Sequence, residues 1–158
     1  MTGEYKVRAA TAADAGIIAE HRRAMFADMG ERDQAKLDAM EAESVPWLQG
    51  KISSGSYFGW FAVAPDGSIA AGAGIWLIEW PPSVMDLRGR RGTIFNVYTV
   101  PGYRGRGLAR CLMESILAWC GERGIRVVNL HASDAGRPLY EALGFRATNE
   151  MRMLLDAQ

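Results

Sequence analysis

The chain has 158 residues, a length that fits one domain spanning 1–158 with a core large enough to need neither disulfide nor metal. Eighteen Lys and Arg balance eighteen Asp and Glu, so no net field draws it to nucleic acid or to anionic lipid. Two cysteines and two scattered histidines, His21 and His131, show no zinc spacing. The segment Met1 to Lys6 lacks the apolar core of a secretion signal, and no run is long enough to span a membrane; a soluble, cytoplasmic protein is expected.

In chain order, residues 5–9 read as a short strand. Thr11 followed by Asp14 is a weak capping box opening a helix that reaches about Met29. A second helix is predicted over about Glu31 to Trp47, with Pro46 marking its end or a bend. Its acidic residues, Glu41 and Glu43 among them, read first as a solvated face and second as a rim that favours a cationic amine.

Tyr57 to Ala64 and Ser68 to Trp80 alternate as strands around the turn Pro65-Asp66-Gly67 and form a hairpin. Gly72 and Gly74 inside the second strand signal a bulge or the close approach of another backbone. The basic segment Asp86 to Gly92 reads as a solvent-exposed connection, and Trp80 as a ring that could line a pocket and meet a cation. A strand follows over Thr93 to Val100.

A helix is predicted from Gly105 to about Arg123, with Leu108, Leu112, Ile116 and Trp119 on one stripe and Gly124 as its stop. Cys111 and Cys120, nine positions apart, fall on opposite faces at about 100° per residue and read as packed thiols. Arg126 to His131 reads as a buried strand and Pro138 to Leu143 as a short helix closed by Gly144. Phe145 to Leu155 reads as a final strand, able to pair within the monomer or across a homodimer.

The most specific segment is Tyr98-Thr99-Val100-Pro101-Gly102-Tyr103-Arg104-Gly105-Arg106-Gly107-Leu108-Ala109-Arg110, an apolar strand that runs through a glycine-rich turn into a helix. Gly105 and Gly107 let backbone N–H groups converge on an anion at the helix start, and three arginines add charge there. Leu108 and Ala109 stand where a P-loop needs Lys and Ser or Thr. A dinucleotide fingerprint needs glycine at the place of Arg110, which leaves that match weak.

Arg104-Gly105-Arg106-Gly107-Leu108-Ala109 resembles the pyrophosphate loop of the GNAT acetyltransferases. Downstream, Ser133-Asp134-Ala135-Gly136-Arg137-Pro138-Leu139-Tyr140-Glu141-Ala142-Leu143-Gly144-Phe145 is similar to that family's second hallmark, a short helix carrying Leu-Tyr-Glu and ending in Leu-Gly-Phe. The resemblance runs from about Tyr5 to Leu155, with specific motifs only in 94–153. It implies an α/β fold, a mixed α+β sheet with helices on both faces, in the order β-α-α-β-β-β-α-β-α-β.

It also implies acetyl-CoA as co-substrate and no metal, with a primary amine of a small molecule as acceptor or, alternatively, a peptide amine. Tyr98, Thr99 and Val100 would pair with the pantetheine arm. Arg104, Gly105, Arg106, Gly107, Leu108, Ala109 and Arg110 would take the pyrophosphate, and Ser133 stands where the family often has an Asn on the pantetheine. Tyr140 matches the tyrosine that protonates the departing thiolate. Attack would pass through a tetrahedral intermediate held by a backbone N–H of the Tyr98 to Val100 region.

The strand before the turn departs from the family in carrying no carboxylate. The base is therefore open between Glu79 and His131, with Asn96 able only to orient a water. A non-catalytic acyl-CoA sensor is the competing reading, which Tyr140 argues against.

Overall fold

The structure is a computed structural model and describes residues 3–156. Five strands, β1 (Lys6–Ala9), β2 (Tyr57–Val63), β3 (Ile69–Glu79), β4 (Arg90–Thr99) and β5 (Val128–Leu130), form one sheet in sequence order. All pairs are antiparallel except β4 with β5, which are parallel because α3 (Leu108–Glu122) crosses between them. The other helices are α1 (Ala15–Asp28), α2 (Gln34–Ser53) and α4 (Arg137–Ala142).

Alternation along β2 builds the two-sided core. Tyr57 and Phe61 face α1 and α2, where they pack with Ala15, Ile18, Ala19 and Leu48. Phe58 and Trp60 face the other way and stack on Trp119 of α3, with ring centroids 4.7 and 5.5 Å apart. The predicted α3 stripe is buried at Leu108, Leu112 and Ile116, widened by Met113 and Cys120. Cys111, on the opposite side, is half-buried. Thr11 N–H donates to the Asp14 carboxylate at 2.7 Å, and Arg8 clamps both oxygens of that carboxylate at 2.9 Å, tying β1 to the start of α1.

Five expectations change. Helix α2 does not stop at Pro46 but continues to Ser53. The turns beyond the proline are held by tertiary burial: Leu48 is fully enclosed, and Trp47 packs edge-on against Trp76 at 5.2 Å. Strand β5 is three half-buried residues rather than a longer buried strand, because only one of its edges is paired. Residues 145–156 form no strand: after half-buried Phe145 they lie exposed beyond α4, and a groove of about 880 Å³ separates them from β5 and α3. The sheet therefore ends at β5 among the described residues.

Finally, the basic segment before β4 is anchored. Arg90 donates to the Arg123 carbonyl at 2.6 Å, which ties the end of the loop to the end of α3, and Asp86 accepts from the Arg88 backbone at 3.0 Å within the loop. Trp80 is covered by the chain's own cation, with the Arg91 guanidinium 3.7 Å above its ring, which removes that face from any pocket.

Candidate active site

The site is built where β4 and β5 separate. Their pairing covers only Gly92 to Ile94 against Val128 to Leu130, while β4 continues on the β3 side as far as Thr99. Val100 N–H donates to the Ala70 carbonyl at 2.9 Å, so alternation turns Thr99 the other way, toward the side that β5 leaves open. The Thr99 carbonyl accepts from Arg104 Nε at 3.0 Å. Within the predicted Tyr98 to Val100 stretch, Val100 has thus spent its donor and Thr99 has not.

The chain then turns through Pro101–Tyr103 into a loop whose glycines take left-handed backbone, Gly105 at φ 77° and Gly107 at φ 76°. Gly107 precedes the first turn of α3 and offers no side chain to cap it. As a result the N–H groups of residues 105–110 donate to no protein acceptor among the described residues. These directed donors, at the positive end of a 15-residue helix, fit a pyrophosphate. The arginines frame them from outside: Arg104 pairs with Asp28 at 3.0 Å, Arg106 with the Tyr5 hydroxyl at 2.9 Å and Arg110 with Glu114 at 2.9 Å.

Tyr140 lies buried in α4, where its ring meets Phe145 edge-on at 6.2 Å and fills the space over Gly136. Burial pushes its hydroxyl above the ordinary phenol range, so it carries a proton at neutral pH. Ser133 Oγ accepts from Gly136 N–H at 3.1 Å, which makes Ser133, rather than Asp134, the side chain that satisfies the start of α4.

The two base candidates part company. Glu79 pairs in register with Arg90, at the start of β4, whereas the open edge and the turn lie at its end; the β4 length between them is roughly 30 Å. The structure therefore does not bring Glu79 to the turn. His131 follows β5 directly at the point where the strands part, and lines the same groove as Tyr140. Its Nε2 lies 2.9 Å from Glu150 Oε1. That bond holds Glu150 below the usual carboxylate range.

A buried polar cluster was not legible in the sequence as a unit. At Asn96, β4 bulges against Ala73 and takes φ 60°, the one left-handed non-glycine residue described. Its Nδ2 donates to the Tyr57 hydroxyl at 3.0 Å, and its Oδ1 accepts from Arg22 at 3.1 Å. His21 packs beside them against Tyr98, ring centroids 5.1 Å apart, and burial lowers its pKa. Together His21, Tyr57 and Asn96 line an enclosed cavity of about 10 Å³. The glycines explain their own places: a methyl on Gly74 would overlap the Tyr57 hydroxyl, and one on Gly72 would meet His21 Nδ1 at 3.0 Å. A bulge is present at these glycines, but its extra residue lies on β4, not on the strand that carries them, and what approaches them is side chain, not backbone. Two glycines facing a strand that opens on tyrosine were the available signal.

Among the described residues no helix is long and apolar enough to cross a membrane, and no three His, Cys, Asp or Glu side chains gather to hold a metal.

The Acetyltransferase (GNAT) family profile matches residues 20–145. A GCN5-related N-acetyltransferase from Ralstonia eutropha JMP134 superposes with a TM-score of 0.90 at 38% identity, covering 96% of this chain and 98% of that one. A predicted acetyltransferase from Clostridium acetobutylicum, solved with acetyl-CoA, gives 0.85 at 29% identity and 96% coverage of each. Glucosamine 6-phosphate N-acetyltransferase of Trypanosoma brucei brucei is 40% identical over 65 residues, 41% of this chain and 44% of that protein. The chain thus spans less than half the length of that curated relative. With the fold, the free N–H groups of the turn and the family profile in agreement, the chain belongs to the GNAT acetyltransferase family.

Proposed function

We propose that this protein transfers the acetyl group of acetyl-CoA to a primary amine of a small molecule. The observation that carries the reading is the unsatisfied row of N–H groups at 105–110, continuous with the open edge of β4 at Thr99. When bound there, acetyl-CoA supplies an activated thioester. Everything else is work for the chain's own residues.

The turn N–H groups hold the pyrophosphate, and the Thr99 backbone pairs with the pantetheine arm or meets the oxyanion as a fixed donor. The incoming amine attacks the thioester carbonyl, forming the C–N bond and a tetrahedral oxyanion, and collapse of that oxyanion breaks the C–S bond to leave the amide and the CoA thiolate. His131, with its Nε2–H donated to the Glu150 carboxylate, presents Nδ1 as the lone pair that takes the amine proton. Tyr140 gives its proton to the departing thiolate. Arg104, Arg106 and Arg110 add field at the pyrophosphate, and Ser133 serves α4 first and can touch the arm only through its O–H.

One observation favours the second reading, a non-catalytic acyl-CoA sensor: the bulge of β4 carries Asn96, not a carboxylate, and Glu79 is distant. CoA release across a panel of amines and short peptides, with mass spectrometry of the products, separates the two. Amine-dependent release with an acetylated product supports transfer and also names a small or a peptide acceptor. Acetyl-CoA binding without transfer supports the sensor.

A further inference from the structure

Arg22 on α1 is half-buried, yet its recorded side-chain hydrogen bond goes to a neutral partner, Asn96 Oδ1, at 3.1 Å. The neighbouring arginines do not share this condition. Arg23 pairs with Asp38 and Glu41, and Arg104 at the turn pairs with Asp28. No carboxylate lies within ion-pair distance of Arg22 among the described residues, and burial disfavours its charge. A cation that has given up water without gaining an anion is an open valence in electrostatic terms.

Its surroundings fix where that valence points. The guanidinium lies 5.1 Å from the Phe26 ring centroid and 6.0 Å from that of Phe95, so α1 and β4 each contribute an aromatic wall. Asn96 cannot swing away, because its other amide atom is committed to the buried Tyr57 hydroxyl. One N–H of the five goes to Asn96 and the rest of the planar fork is available for an anion. This occurs at the bulge of β4, three positions before Thr99 and the edge that opens toward β5.

We propose that Arg22 binds an anionic group, a carboxylate or a phosphate, carried by the acceptor amine. The inference rests on the acetyl-transfer reading and narrows it to amines that carry a negative charge. An acceptor held this way lies across the bulge, with its amine directed along β4 to the acyl group. Of the acidic residues of α2, Asp38 and Glu41 are engaged by Arg23.

The test compares matched acceptors in which only the charge differs: α-amino acids against their carboxamides, and an amino sugar against its phosphate ester. Values of kcat/KM are measured for the wild type, Arg22→Gln and Arg22→Lys, with acetyl-CoA affinity by calorimetry on each protein. The wild type is expected to favour the anionic member of one pair by about tenfold or more, chiefly through KM, and the favoured pair tells carboxylate from phosphate. Arg22→Gln should remove that ratio, and Arg22→Lys should keep part of it. Equal use of both members in both pairs, or a ratio unchanged in Arg22→Gln, overturns the inference while leaving acetyl transfer standing. Transfer to none of the amines, with acetyl-CoA still bound, overturns the acetyltransferase reading and this inference with it.

Discussion

Asn96 holds a left-handed backbone at φ 60° so that its Nδ2 reaches the fully enclosed Tyr57 hydroxyl at 3.0 Å, joining the bulge of β4 to the first residue of β2. Desolvation pushes the Tyr57 hydroxyl up to about 12, opposed by the Asn96 bond and the Arg22 charge. At pH 7, Tyr57→Phe leaves a buried amide donor without its acceptor and should cost about 1–3 kcal/mol in denaturant melts. The advantage fades in alkali. A phenol raised from 10.0 stabilises the fold fully below pH 10, and the contribution is lost as pH rises toward 12. The gap between wild type and Tyr57→Phe should therefore narrow above pH 10, and a constant gap would show that the hydroxyl ionises equally in both states.

Gly107 is required twice, by its φ of 76° and by the donors beside it. Gly107→Ala should cost about 1–2 kcal/mol of stability, the strain of a left-handed alanine. Gly107→Asp adds a negative charge among the N–H groups meant for an anion, and acetyl-CoA binding by calorimetry should fall below detection while the fold persists.

Tyr140→Phe keeps the ring that packs on Phe145 and removes only the hydroxyl proposed as the acid. Acetyl-CoA affinity should hold, and kcat should fall by about 10²-fold or more. Because burial raises this hydroxyl, the wild type should show no loss of activity from Tyr140 ionisation below pH 10. An unchanged kcat would return Tyr140 to a packing role.

His131→Gln tests the base. Removing the imidazole should lower kcat/KM by about 10²-fold or more while acetyl-CoA affinity holds. Glu150→Gln should give a smaller loss, since the imidazole remains but the carboxylate that orients its Nε2 is gone. A kcat/KM unchanged in His131→Gln would remove His131 from the proton path.

What the amino-acid sequence determined by itself was local and contiguous. The run from Tyr98 to Arg110 carries strand, turn and helix start in one stretch, and glycine at 105 and 107 can be read as left-handed because no other residue adopts that backbone cheaply. The α3 stripe, the β2–β3 hairpin and the short Tyr140 helix were legible for the same reason: their signals are periodicities and turn residues within a dozen positions.

What only the tertiary structure decided depends on residues far apart in the chain. Helix α2 passes Pro46 because Leu48 finds a core and Trp47 packs against Trp76, and residues 145–156, though apolar enough to read as a strand, gain no backbone partner at the edge of β5. Glu79 was discounted by register alone. Arg22, Tyr57 and Asn96 come from α1, β2 and β4, separated by 35 and 39 positions, and nothing in their local patterns announces a shared site. Burial in a common layer couples them, and a buried charge without its counterion is a property of three-dimensional neighbours, not of sequence.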